Sequence, residues 1–155
     1  MGLDMYLSKV KGTWTQESFM QLSTLRGKLR HLCHAAGLEE LDLSALSLDS
    51  QELGYFRKHS DLHGYFEEKY FELTPEDYRA EVFNCEYLVL DREMINDILD
   101  KAKQQLEGEK SFEEARGFFW GESDNEHWEE TLDVFTRILE QVDFEKETVL
   151  YSSWW

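Results

Sequence analysis

Trp128, Leu132, Phe135, Leu139 and Val142 recur at helical spacing. At about 100° per residue they share one stripe, which commits the segment to an amphipathic helix with one side in a core. Glu122, Glu126, Glu129, Asp133 and Glu140 fall on the opposite side, and no Lys or Arg interrupts their sector, although Arg137 flanks it. An aromatic run closed by glycine, Gly117-Phe-Phe-Trp-Gly121, leads into this helix. One side of the segment builds a core and the other presents carboxylates to water.

The remaining elements follow from periodicity and caps. Leu3, Met5 and Leu7 alternate with Asp4, Tyr6 and Ser8, which predicts a strand with one buried face. Thr13 or Thr15 caps a helix over 16–36, with Phe19, Leu22, Leu25, Leu29 and Leu32 on its inner side and Gly37 as its stop. Residues 38–50 read as a loop or a short helical turn. A second helix runs from Asp49 or Ser50 to Tyr70 with Leu53, Phe56, Leu62, Phe66 and Tyr70 inward. Gly54 and Gly64 weaken that helix by about 1 kcal/mol each relative to Ala. Thr74-Pro75-Glu76-Asp77 starts a turn or two of helix. Cys85–Leu90 is a strand, and Asp91 then caps a helix over 92–107, which Gly108 closes. In that helix Ile95, Ile98, Leu99, Ala102 and Leu106 face inward, and Glu93, Asp97, Asp100 and Glu107 face out. Phe118–Trp120 reads as a strand, the acidic helix occupies 123–142, and 148–155 ends the chain as a strand. Val149, Tyr151 and Ser153 lie on one side of this last strand, Leu150 and Trp154 on the other. The expected architecture is one α+β domain over residues 1–155, with three to four strands against three to four helices.

Charge narrows the function. Sixteen basic against thirty-three acidic residues leave −17. That argues against direct contact with nucleic-acid phosphate or anionic lipid. The balance is uneven: residues 1–36 carry five basic and two acidic residues, so the other 119 carry the excess acid. No stretch reads as a signal peptide or membrane span. Cys33 and Cys85 do not make a disulfide framework. Both read as small buried thiols in a reduced, cytoplasmic protein.

The candidate chemistry is sparse. His59 and His63 at i and i+4 make half of a zinc site, with His127 or Glu126 as a third ligand. The Glu that a zinc protease places directly after the first His is absent, so His63 reads as part-buried and hydrogen-bonded and His59 as exposed. His31-Leu-Cys-His34 is a lone cluster. Glycine-rich phosphate loops and the Gly-x-Ser-x-Gly elbow are missing. No metal or cofactor is therefore expected. Arg57 and Lys58 either bind an anion or pair with Glu52, Asp61 or Glu68.

Several blocks of the sequence carry a resemblance. They are the Met-Gly-Leu-Asp-Met-Tyr-Leu start, Tyr55-Phe-Arg-Lys running to His63-Gly-Tyr-Phe66, and Cys85-Glu-Tyr leading to Asp91-Arg-Glu. The Gly117-Phe-Phe-Trp-Gly-Glu run with Trp128 and the Tyr-Ser-Ser-Trp ending complete the set. Together they resemble a family of small phage and prophage proteins of uncharacterised function. The resemblance implies a mobile-element origin and marks Arg57, Lys58, His63, Phe118, Phe119, Gly121 and Trp128 as positions sharing a site or a structural role. His59 lies outside the pattern, and residues 37–50 fit it poorly.

Three functional expectations follow. The first is a phage-derived acidic protein acting in the host cytoplasm. It binds and inhibits a basic host protein that handles nucleic acid in defence, of CRISPR or restriction type, by nucleic-acid mimicry. Glu122, Glu126, Glu129, Asp133 and Glu140 carry the contact, with Glu93, Asp97 and Asp100 second. The second is a small enzyme or ligand-binding domain with a pocket around Arg57, Lys58, His63 and Trp128. The third is a homo-oligomer that associates through its aromatic C-terminus.

Overall fold

The alternating start forms strand β1 (Asp4–Lys11), and Leu3, Met5 and Leu7 turn one way and are fully buried. The computed structural model describes residues 2–38, 48–117 and 120–155. After β1 come helix α1 (Gln16–Ala35), strand β2 (Ser50–Arg57), helix α2 (Ser60–Leu73) and a 3-10 turn at Glu76–Tyr78. Strand β3 (Tyr87–Leu90), helix α3 (Arg92–Leu106), helix α4 (Asn125–Gln141) and strand β4 (Glu147–Trp154) complete the chain. The strands form one antiparallel sheet in the order β2-β1-β4-β3. The first and last strands of the chain thus lie side by side at the centre. This is the expected α+β architecture, with four strands and four α-helices among the described residues.

One face of the sheet carries the main core. Tyr151 of β4 packs on Phe66 of α2 with ring centroids 4.1 Å apart, and Phe56 of β2 stacks on Phe135 of α4 at 6.2 Å. Helix α4 packs against both β2 and α3, so it buries more than a single stripe. Thr131, Val134 and Ile138 are buried beside Trp128 and Phe135, while Leu132 and Leu139 are only half-buried. Trp128 stacks on Phe112 at 4.5 Å. Large apolar side chains of this kind contribute roughly 1.5–3 kcal/mol each on full burial.

Among the described residues the other face is covered only in part. Val10, Phe19 and Leu150 form a small second cluster under the start of α1. Thr15 caps α1, and Gln16 clasps the edge of the sheet. The Gln16 amide donates to the Tyr87 carbonyl at 2.9 Å, and its oxygen accepts the Val89 N–H at 2.7 Å. Edge-strand backbone groups are thereby paired, as burial requires. Farther along α1 the expected inner stripe is not buried: Leu25 is 50% and Leu32 62% exposed. Period alone marks an apolar face; it does not supply a neighbour to cover it.

The expected helix over residues 50–70 is corrected. Ser50–Arg57 is the edge strand β2, paired with β1 through Tyr6 opposite Tyr55 and Leu7 opposite Gly54. The register shifts at Leu7/Ser8. That extra residue breaks the alternation a strand would show, and leaves Leu53 and Phe56 at a spacing that mimics a helix. A Cβ on Gly54 would meet Val134 Cγ1 at 2.7 Å, so glycine here lets α4 approach the sheet. Lys58, at φ 60, turns the chain, and the helix begins only at Ser60. The expected strand at 118–120 is likewise not observed at its described end. Phe118 and Phe119 lie outside the described residues, and Trp120 closes a turn by donating its N–H to the Gly117 carbonyl at 3.2 Å. No helix among the described residues is long and apolar enough to cross a membrane.

Candidate functional site

Helix α4 owes its exposed acidic face to its packing. Asp124 caps it by accepting the His127 N–H, and the His127 Nε2–H donates to the Arg57 carbonyl at 3.0 Å. This fixes the helix start against the end of β2. With the core side held by the sheet and α3, Glu126, Glu129, Glu130, Asp133 and Glu140 are all exposed. Against these five acids the helix carries Arg137 alone, a net of −4. Glu130 extends the predicted set. Arg137 flanks the predicted five, and at about 100° per residue it falls between Glu126 and Glu130 once the set is extended. Its Nη1 lies 4.0 Å from Asp133 Oδ2, with both side chains largely exposed. Such a pair contributes little. Glu122 precedes the helix and lines a cavity of about 440 Å³ with Ser60, Asp61, Lys110, Arg116 and Ser123.

Helix α3 does not continue this face as an acidic surface. Glu93, Asp97 and Asp100 are exposed, but Arg92, Lys101 and Lys103 balance them to zero. Lys101 Nζ lies 3.6 Å from Asp97, and Lys103 Nζ lies 3.8 Å from Asp100. Asp97 also accepts a hydrogen bond from the Tyr65 hydroxyl at 2.9 Å. The second set of predicted contacts thus sits on a helix of zero net charge, with Lys101 and Lys103 pairing at the edges of its acidic row.

None of four cavities among the described residues brings Arg57, Lys58, His63 and Trp128 together. Arg57 and Lys58 are exposed, His63 is fully buried and Trp128 nearly so. Arg57 pairs with Asp4, at 3.9 Å, rather than with Glu52, Asp61 or Glu68. The two histidines of the half zinc motif look to different partners. His63 Nδ1 lies 2.7 Å from the Tyr151 hydroxyl. Burial lowers its pKa to about 4. His59, expected exposed, is fully buried, and burial together with the neighbouring His127 holds it well below the usual histidine range. Cys33 is half-buried and Cys85 exposed, so neither is the buried thiol that the sequence suggested.

His59 has a role that the sequence did not show. The Thr131 hydroxyl donates to the His127 carbonyl at 2.8 Å, so His59 Nε2–H donates to Thr131 at 3.0 Å. His59 Nδ1 then accepts from the Ser123 hydroxyl at 2.8 Å, and Ser123 Oγ accepts the Asp61 N–H at 2.9 Å. A serine on an imidazole nitrogen has the look of an activated nucleophile. Here the third member is a neutral threonine, and the serine oxygen pairs an N–H that the start of α2 would otherwise leave without a partner. His59, the residue before α2, provides no side-chain cap of its own. Ser123 supplies it from another part of the chain.

The sequence blocks that carry the resemblance touch one another in pairs. The Lys58 N–H donates to the Leu3 carbonyl at 2.8 Å, and a Cβ on Gly121 would meet Lys58 Cβ at the same distance. Gly117 and Gly121 bracket Trp120, which packs edge-on against His63 at 4.4 Å and against Trp155 at 5.7 Å. A Cβ on Gly117 would fall 2.4 Å from the Trp120 ring. The Cys85 N–H donates to the Ser153 carbonyl, also at 2.8 Å. Blocks dispersed in sequence are thus brought into contact, and the glycines make room for Trp120 and Lys58. Comparison with family models, curated proteins and solved structures gives no match.

Proposed function

We propose that this chain is a phage-derived acidic interaction protein. It docks through the solvent face of α4 onto a basic surface of a host protein that handles nucleic acid in defence, of CRISPR or restriction type, and blocks that surface. The observation that carries the reading is the exposed row on α4 with its net of −4 over seventeen residues. No other α-helix among the described residues carries so negative a balance on fully exposed acids; in α2, Asp61 and Glu67 are half-buried.

Magnitude sets the kind of contact. A helix of this length spans about 25 Å, over which duplex DNA carries roughly fifteen charges. Helix α4 therefore presents about a quarter of duplex charge density, enough to steer and register a basic partner but not to copy the full field of a duplex. Carboxylates alone seldom supply affinity, so the acidic row acts with adjoining surface.

The test is capture from host lysate at low and then high salt. A basic nucleic-acid-handling protein that binds at low salt and is released by salt supports the proposal. A partner retained unchanged in high salt, or one with an acidic contact surface, overturns it.

A further inference from the structure

We propose that the sheet face under α1 holds a nucleobase-binding slot. It lies on the far side of the sheet from α4 and does not depend on the interaction proposed above.

Register creates the slot. Tyr6 of β1 and Tyr87 of β3 both stand opposite Ser152 of β4, so the three share one row across the sheet. Two strand spacings set the tyrosines about 9.5 Å apart, with a serine between them as floor. Phe19 of α1 braces Tyr87 edge-on at 5.5 Å, and Leu22 of α1 also lines the cavity. The cavity is about 430 Å³. That lies within the usual range for small-ligand sites. Tyr6 and Tyr87 are each 39% exposed, so the walls are open to a ligand.

The chemistry of the lining selects the ligand. Ser8, Ser23, Ser50 and Ser152 all face the cavity, and none of their hydroxyls hydrogen-bonds to another described residue. Arg26 and Glu52 also line the cavity, one of each charge. Aromatic walls call for a flat ring, and a border of unengaged hydroxyls calls for donors and acceptors around that ring's edge. A nucleobase has both, whereas a phenyl or alkyl group would leave the hydroxyls unanswered. The base can come from a nucleoside or from a single strand. The β1–α1 region is the one basic part of the chain, with five basic against two acidic residues in the first thirty-six.

The experiment is NMR titration of the full chain with adenosine, with a short oligo-dA and with p-cresol. The expected result is saturable shifts confined to Tyr6, Tyr87, Ser152 and Leu22 for adenosine or the oligonucleotide. The oligonucleotide binding much more tightly than the nucleoside assigns the source to a strand, and comparable affinities assign it to a nucleoside. Tyr6→Ala should weaken binding roughly ten-fold, in line with the loss of one stacking partner. Leu22→Trp, a substitution on half-exposed α1, should fill the slot and abolish binding; it serves also if Tyr6→Ala fails to fold. Absence of saturable shifts from both nucleic-acid probes overturns the proposal. So does p-cresol binding as well as adenosine, which would make the slot a socket for a protein's aromatic side chain.

Discussion

Acidification tests the burial of His63 with a sign and a size. In the folded chain burial lowers its pKa from 6.5 to about 4, so the neutral ring is the folded form at neutral pH. In the unfolded chain the ring takes up a proton near its ordinary pKa. A group lowered in this way contributes no destabilisation above the unfolded value. Its cost grows as pH falls from 6.5 and levels off only below the folded value near 4. Linkage gives a loss of about 2 kcal/mol between pH 7 and pH 5 from this residue alone. His59 is displaced the same way and adds to the wild-type slope. His63→Asn removes the titration while keeping a polar atom near the Tyr151 hydroxyl. The assay is urea unfolding of both proteins at pH 7, 6 and 5. The mutant should be less stable at pH 7 because a buried ring is lost, yet lose about 2 kcal/mol less on going to pH 5. Parallel pH dependences in the two proteins would show that His63 is not held neutral by burial, and the reasoning would fail.

Other expectations concern the close contacts that set the fold. Gly54→Ala should cost about 1–3 kcal/mol by urea unfolding, because its Cβ meets Val134 Cγ1 at 2.7 Å. Adding Val134→Ala should return part of that loss relative to Val134→Ala alone, and strict additivity would contradict the contact. Gly121→Ala combines a backbone φ of 78 with a Cβ placed 2.8 Å from Lys58, and should cost at least about 1 kcal/mol in the same assay. Gln16→Ala leaves the Val89 N–H without its 2.7 Å partner. It should destabilise the chain by about 1–3 kcal/mol and speed amide exchange at Val89. Unchanged exchange would show that the edge of β3 does not need the clasp.

Much of the fold was legible where a single periodicity acted alone. Leu3, Met5 and Leu7 marked β1, and Val149, Tyr151 and Ser153 marked β4, because strands flanked on both sides keep strict alternation. Asp91 and Gly108 bounded α3 because caps are local chemistry. Edge strand β2 was read as helix because its bulge disturbs the alternation and Gly54 replaces a packed side chain. Burial on α1 was overestimated because an apolar stripe does not reveal whether a neighbour exists, as Leu32 shows. Within the candidate site, the exposure of Glu126, Glu129, Asp133 and Glu140 followed from their place opposite the core stripe. The neutral balance of α3 could have been found by counting Arg92, Lys101 and Lys103 along with its acids. The Ser123–His59–Thr131 chain and the Tyr6–Ser152–Tyr87 row were beyond sequence reading, since each depends on contacts between distant segments.

The central claim is that the contact belongs to α4 and not to acidity in general. It is tested by comparing two triple charge reversals for capture of the host partner, with circular dichroism to verify folding. Glu126→Lys, Glu129→Lys and Asp133→Lys together should abolish capture. Glu93→Lys, Asp100→Lys and Glu107→Lys together make the same change in net charge at exposed positions on and beside α3 and should leave capture largely intact. Equal losses from both sets, or full capture by the α4 set, would contradict the account.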